Sequence, residues 1–400
     1  MKKILTIVVL LGIYLVSTGV SYGVFSYVST PTEQKIVSPE VAKSGDSKLK
    51  ILLTGPKDFE CPLNGAKFTQ QEVDLWSKRR PLTVVIENHA DSRPQSGLAK
   101  ADVVYEAVSE GAITRFLAVY YCGTAAYSAE GEYDVGPVRS ARTYFLDWAS
   151  EYGDYPLYNH VGGAGQCSDP TVNVKAKALC QIEKYGWKNK ESWSDLDQFS
   201  LGFRICRREP DRTGKTVDTE HSMYCGTYAL WSTAAKRGLT NINTNTNKQS
   251  SWDVNFKPWL FKDDSPSGEA VSPEFAFWTD YKDYVVKWVY DSQKNAYKRM
   301  NGGGVIANDF YYKEDLLAKN VVVQIMKETT NVDEHKHNLY QTIGTGKAVI
   351  FQDGKAIAGT WTKKDRQSRT RYYDGTGKEI RFNRGQIWVE TIPIEKNLTY

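Results

Sequence analysis

Four hundred residues with 41% hydrophobic content are enough for a sizeable core, and the length favours two domains over one. The 51 basic and 47 acidic side chains leave a net charge of only +4, too balanced to imply nucleic-acid binding by overall field. The 25 tyrosines and 11 tryptophans would suit carbohydrate-stacking surfaces, but β-rich domains use the same residues to bury area, and that is the reading adopted.

The chain opens with Lys2 and Lys3, followed by an uncharged, strongly apolar stretch. Residues 1–3 read as a cytoplasmic stub and 4–28 as a transmembrane signal anchor with its lysines inside. The rival is a cleaved signal peptide, because Ser17, Gly19, Ser21 and Gly23 are small; apolar residues resume at Val24-Phe25, and no A-x-A site follows. Residues 29–50 are polar and aperiodic, a tether. The expected organisation is then an N-terminal α/β or α+β domain over 51–262, a linker at 263–274, and a β-rich, mainly antiparallel domain over 275–400. No internal repeat shows.

Within the first domain, Leu82–Glu87 and 113–121 read as buried strands. Between them, 101–110 fits a helix or a strand, and Asp102, Glu106 and Glu110 share one face under either reading. Helices are expected at 144–152 and 223–237. In the second half, strands are expected at 284–290, 296–300, 321–326, 346–351, 355–361 and 386–390, separated by turn pairs such as Asp353-Gly354. The six cysteines, Cys61, Cys122, Cys167, Cys180, Cys206 and Cys225, suit an oxidising compartment. Cys167 with Cys180 and Cys206 with Cys225 would be local closures, among fifteen pairings.

The segment Gly136-Pro137-Val138-Arg139-Ser140-Ala141-Arg142 sits where a helix should begin, with Pro137 suited to its first turn. Two arginines at an electropositive helix start add repulsion. Either carboxylates of the same chain offset it, with Asp102, Glu106 and Glu110 as candidates, or a bound anion does.

Several motifs together carry a resemblance: Asn88 to Leu98 (NHADSRPQSGL), Glu110 to Phe116 (EGAITRF), Gly136 to Arg142 (GPVRSAR), His160 to Gly163 (HVGG), Lys319 to Gln324 (KNVVVQ) and Asp353 to Trp361 (DGKAIAGTW). In order and spacing they resemble the YerB-like lipoproteins, a two-domain bacterial envelope family of unknown function. The resemblance covers nearly all of the chain after the tether. It implies an extracytoplasmic protein and supplies no activity. Two features depart from the family: the usual lipid-bearing cysteine is absent, and His221-Ser-Met-Tyr224 stands where His-Asn-Leu-Tyr is usual.

Arg93, Gln95 and Ser96 lie in a rigid loop after a buried strand, a common place for ligand contacts. With Arg115, Arg139 and Arg142 they would form an arginine-lined site. Gly162 and Gly163 would offer a backbone nest, or simply allow close approach of strand and loop. His89, His160 and His221 are acid/base candidates beside Glu106 and Glu110. None shows a familiar zinc spacing, so no metal and no cofactor is assigned. His335 and His337 sit in a charged stretch read as a solvated hairpin loop. The reading that follows is a single-pass membrane protein with its bulk outside the cytoplasm. Its partners are the lipid bilayer, through the N-terminal helix, and an anionic or sugar-containing cell-wall polymer, with no nucleic acid. The alternatives are an enzyme acting on an envelope polymer, by hydrolysis or by phosphoryl or glycosyl transfer, and an envelope scaffold.

Overall fold

Runs of valine, isoleucine and aromatic residues make strands, and among the residues described ten of them hydrogen-bond into one sheet. The computed structural model describes residues 55–127, 133–188, 192–246, 249–279 and 281–400. The stub, spanning segment and tether expected over 1–50 lie outside the described residues. Among the described residues no helix is long and apolar enough to cross a membrane.

In chain order the main-sheet strands are β1 (Leu82–Glu87), β2 (Val103–Glu110), β3 (Ile113–Tyr120), β4 (Leu157–His160), β5 (Asp195–Asp197), β6 (Asn320–Ile325), β7 (Gly344–Gln352), β8 (Lys355–Lys363), β9 (Arg371–Asp374) and β10 (Ile387–Ile392). Their spatial order is β9-β8-β7-β6-β10-β2-β3-β1-β4-β5. The seam between the two halves of the chain is the parallel pairing of β10 with β2, Ile387 opposite Val103 through Glu390 opposite Glu106. The fold is mostly strand with few helices, in mixed and antiparallel sheets, and the strands on either side of residues 263–274 share this sheet.

Both faces of the sheet are covered, which is why its central strands carry apolar residues on both faces rather than alternating apolar with polar. Val103, Tyr105, Leu117, Val119 and Val389 pack on one face with Tyr144, Phe145 and Trp148 of helix α2 (Thr143–Ala149). Val104, Val108, Phe116, Ala118 and Trp388 pack on the other. A second, antiparallel sheet covers that side through Phe275, Trp288 and Tyr297; it includes Glu274–Ala276, Val285–Asp291 and Ala296–Asn301. Each large side chain sealed in this way contributes about 1.5–3 kcal/mol.

The helices are short. Helix α1 (Gln70–Trp76) starts on a capping box of Thr69 and Glu72. Helices α3 (Ala178–Lys184) and α4 (Thr227–Lys236) follow α2. Two helical expectations need correction. Residues 223–226 form a strand against Cys206–Arg208, and only then does α4 begin. Pro137 is not in a first helical turn: the chain stays extended to Arg142, the N-cap of α2, because 137–141 hydrogen-bonds to neighbouring strands. Three disulfides, Cys61–Cys122, Cys167–Cys180 and Cys206–Cys225, tie the first half together. The last two are the local closures expected.

The ambiguous 101–110 segment is strand β2, and its acids do not share a face. A bulge between Val108 and Glu110 shifts the register by one residue, and a one-residue shift turns a side chain to the other side. Glu106, opposite Phe116, faces the second sheet. Glu110, opposite Ile113, faces the α2 side, as does Arg115 opposite Ala107.

Candidate functional site

Strands β1, β2, β4, β5, β6 and β10 point the same way, so their carboxyl ends gather on one edge, where open α/β sheets usually bind ligands. Strand β1 pairs with β4 only as far as Val84. Beyond it the 137–141 segment wedges between them. The Arg139 amide donates to the Val85 carbonyl at 2.9 Å and the Glu87 amide to Pro137 at 2.8 Å. On the other side Val161 donates to Arg139 at 3.1 Å and Ala141 to Gly162 at 3.0 Å. This wedge delivers Arg139 and Arg142 to the sheet's edge.

There Glu87 stands opposite Arg115, and Glu87 and Glu110, with exposed Glu220 3.7 Å from Arg139, hold three guanidiniums and an imidazole. Arg139 Nε lies 2.9 Å from Glu87 Oε1, and His221 Nδ1 lies 2.8 Å from Glu87 Oε2. Arg115 Nη2 lies 3.1 Å from Glu110 Oε2, while Arg142 Nε bonds Glu110 Oε1. Burial opposes ionisation of Glu110, but Arg115 and Arg142 outweigh it and hold the carboxyl at about 2. Burial and the neighbouring Arg142 lower Arg115 to about 10, with Glu110 offsetting only part.

Arg142 and Glu110 open onto a groove of about 390 Å³ whose walls include Ser140, Gly163, Asp169 and His335. Its far wall comes from the second half of the chain. His337 Nδ1 is 2.9 Å from Asp333, Asp333 accepts from the Asn173 amide at 3.0 Å, and His335 Nε2 is 3.0 Å from Thr171 Oγ1. The His335-x-His337 stretch is a hairpin loop, but it is docked on the first half, and His337 is buried. Gly162 has φ +57° and donates its amide to Asp197 Oδ1 at 3.1 Å. A Cβ at Gly163 would sit 3.0 Å from both Ala141 Cβ and Leu179 Cδ2, so close approach dictates that glycine.

The other candidates are distributed around this edge. His160 is fully buried, 2.7 Å from Asp195 Oδ1. Burial alone would lower its pKa, but Asp195 outweighs burial and raises it. His89 stacks on His221 with ring centroids 4.6 Å apart. Arg93 Nε bonds Asn88 Oδ1 at 3.0 Å, and the guanidinium lies over Tyr284. With Gln95 it lines a different, more apolar cleft of about 510 Å³ that includes Val305 and Ile306. Ser96 is sealed, its backbone paired with Gly136. Glu106 accepts from Asn88 and Thr114 and pairs with Arg299 at 2.7 Å, entirely inside. Asp102 accepts from the amides of Tyr121, Cys122 and Gly123; burial still pushes it up to about 7. Arg93, Arg115, Arg139 and Arg142 therefore do not form one cradle: Arg115 and Arg142 share Glu110, Arg139 is one carboxylate away, and Arg93 stands apart.

The sequence did not single out Glu87 or Asp169 as site residues, and it placed His335 and His337 in a solvated hairpin loop rather than at a site. Glu87 ends a buried strand just before the Asn88 motif, which is a usable signal. The other three need the tertiary contact between the halves.

"Putative lipoprotein YerB" of Bacillus subtilis (strain 168) is 29% identical over 364 residues, covering 90% of each chain. A crystal structure of the YerB protein from Bacillus subtilis matches with a TM-score of 0.65 at 24% identity, covering 86% of this chain and 99% of that one; it supports the fold. Residues 68–240 match "Protein of unknown function (DUF3048) N-terminal domain" and residues 275–389 match the corresponding C-terminal domain. The chain thus belongs to this two-part DUF3048 family.

Proposed function

We propose that this chain is a membrane-associated envelope protein that binds an anionic cell-wall polymer, or a fragment of one, in the groove beside Arg142. One observation carries the reading: Arg115 and Arg142 share the single carboxylate of Glu110, while Arg139 pairs with Glu87 and with exposed Glu220, and Arg142 stands at an open groove. A phosphate or carboxylate entering there meets the Arg142 guanidinium, whose Nε and Nη1 are engaged by Glu110 and Ala141, and the Ser140 hydroxyl. Arg115 and Arg139 add field from behind, at the carboxyl ends of the strands.

Three disulfides favour an oxidising compartment, and the name of the Bacillus subtilis relative is that of a lipoprotein. The apolar segment 4–28 would hold the chain in the bilayer as a single-pass anchor. Recovery of a soluble mature chain starting near residues 20 to 30 would overturn that anchor.

The binding test is calorimetric titration of the protein with a short polyol-phosphate oligomer and with an uncharged glycan of similar length. The oligomer should bind, the glycan should not, and Arg142→Gln should weaken binding at least about tenfold, a loss of about 1.4 kcal/mol. No binding by the wild type, or equal binding by wild type and variant, would sink the proposal.

A further inference from the structure

We infer a binding site for one divalent transition-metal cation of the zinc class at His89, Asp91 and His221, on the rim of the wedge and separate from the Arg142 groove. Ligand atoms of these three side chains all lie within 4.8 Å of one another. Tetrahedral zinc with bonds of about 2.0–2.2 Å needs ligand atoms about 3.3–3.5 Å apart. The remaining gap is small, and Asp91 can close it because its side chain is 65% exposed.

The geometry around His221 is what distinguishes this cluster from a chance grouping. Its Nδ1 is 2.8 Å from Glu87 Oε2, and a carboxylate accepts but does not donate, so the proton belongs on Nδ1 and the lone pair on Nε2. Glu87 is itself anchored, 97% buried on its side chain and held by Arg139. A buried carboxylate that fixes the tautomer and orientation of an imidazole is the usual support behind a metal-bound histidine. Glu220 Oε1, which also pairs with Arg139 at 3.7 Å, lies 4.0 Å from Nε2.

His89 complements it. Its ring stacks on that of His221 with centroids 4.6 Å apart and planes within 8°, which holds the two imidazoles side by side; both rings must turn out of the stack for their in-plane lone pairs to meet at one ion. Its Nδ1 accepts only a 3.3 Å hydrogen bond from the Asp91 amide and sits 3.4 Å from the Asp91 carboxylate. A cation between that nitrogen and that oxygen would replace a weak contact with two strong ones. Two imidazoles and a carboxylate select zinc-class ions over calcium or magnesium, which prefer oxygen-only shells. Three protein ligands leave a fourth tetrahedral position for water.

The test is titration of the chelator-treated full chain with Co²⁺, read by its visible ligand-field absorption, and with Zn²⁺ in competition. One equivalent should bind, with Zn²⁺ displacing Co²⁺. Asp91→Asn, an exposed change that leaves folding intact, should weaken binding at least about tenfold, and His89→Ala should abolish the absorption. Glu87→Gln should weaken affinity about 10- to 100-fold, while His335→Ala should leave it unchanged. Absence of stoichiometric uptake by the folded wild type would overturn the site. So would uptake that persists in both Asp91→Asn and His89→Ala, the mark of an adventitious ion. Neither outcome bears on the Arg142 groove, because that groove contains none of these three side chains.

Discussion

Two ion clusters lie on opposite faces of strand β2, four residues apart, with inverted stoichiometry. At Glu106 one guanidinium serves two carboxyls: Arg299 lies 2.7 Å from Glu106 and 2.7 Å from Glu390. Trp288 donates to Glu390 at 3.0 Å, and Phe116, Trp288 and Trp388 surround the guanidinium at 5.1–5.5 Å. At Glu110 one carboxylate serves two guanidiniums, and a groove is open beside them. Burial and the neighbouring Glu106 push Glu390 well above the usual carboxylate range, whereas Arg115 and Arg142 hold Glu110 at about 2. The sealed cluster relieves its surplus of acid with a proton. The open cluster has a surplus of base, and in our reading an incoming anion relieves that.

The comparison breaks most readily at Arg299. Arg299→Met strands two buried carboxyls and should cost about 3–5 kcal/mol of stability, read by denaturant unfolding. Adding Glu106→Gln and Glu390→Leu should recover much of the loss. Arg142→Gln, by contrast, removes a charge-assisted hydrogen bond from a carboxylate that keeps Arg115, and should cost only about 1–3 kcal/mol. Equal losses at Arg299 and Arg142 would erase the distinction between sealed and open.

The pH dependence sharpens it further. The folded pKa of Glu110 is depressed, so its contribution is present above the unfolded value, near about 4.3, and is lost as pH falls towards about 2. Acid unfolding of Glu110→Gln should therefore show a shallower fall between pH 4.5 and 2, in approximate terms. The smallest effect is expected at His160, whose folded pKa is raised. Its contribution is complete below about pH 6.5 and declines as pH rises through the folded value. Asp195→Asn should flatten that decline in melting temperature between about pH 6 and pH 8.

Much of the fold was legible because hydrophobic runs in this chain are clean. Leu82–Glu87 and every strand expected in the second half coincide with observed strands to within about two residues. What escaped was set by tertiary pairing. The bulge at Val108–Glu110 leaves no compositional trace, yet it decides which acid meets which arginine. The helical reading of 137–142 failed because the ends of β1 and β4 claim that backbone for hydrogen bonds. At the site, Arg115, Arg142 and Glu110 were named from sequence and do come together. Arg93, Gln95 and Ser96 face elsewhere, because their loop turns toward the second sheet and Phe310 donates to the Gln95 carbonyl. The groove's far wall comes from residues 164 positions later in the chain, the separation of Thr171 and His335, beyond the reach of any local pattern.

The central claim is that the cationic surplus beside Glu110 exists to receive an anion, and a crystal structure of the protein with a polyol-phosphate oligomer tests it most directly. The account predicts a phosphate within hydrogen-bond reach of the Arg142 guanidinium and the Ser140 hydroxyl, with the oligomer running along the groove past His335. Oligomer bound elsewhere, with Arg142 still paired only to Glu110, would contradict it.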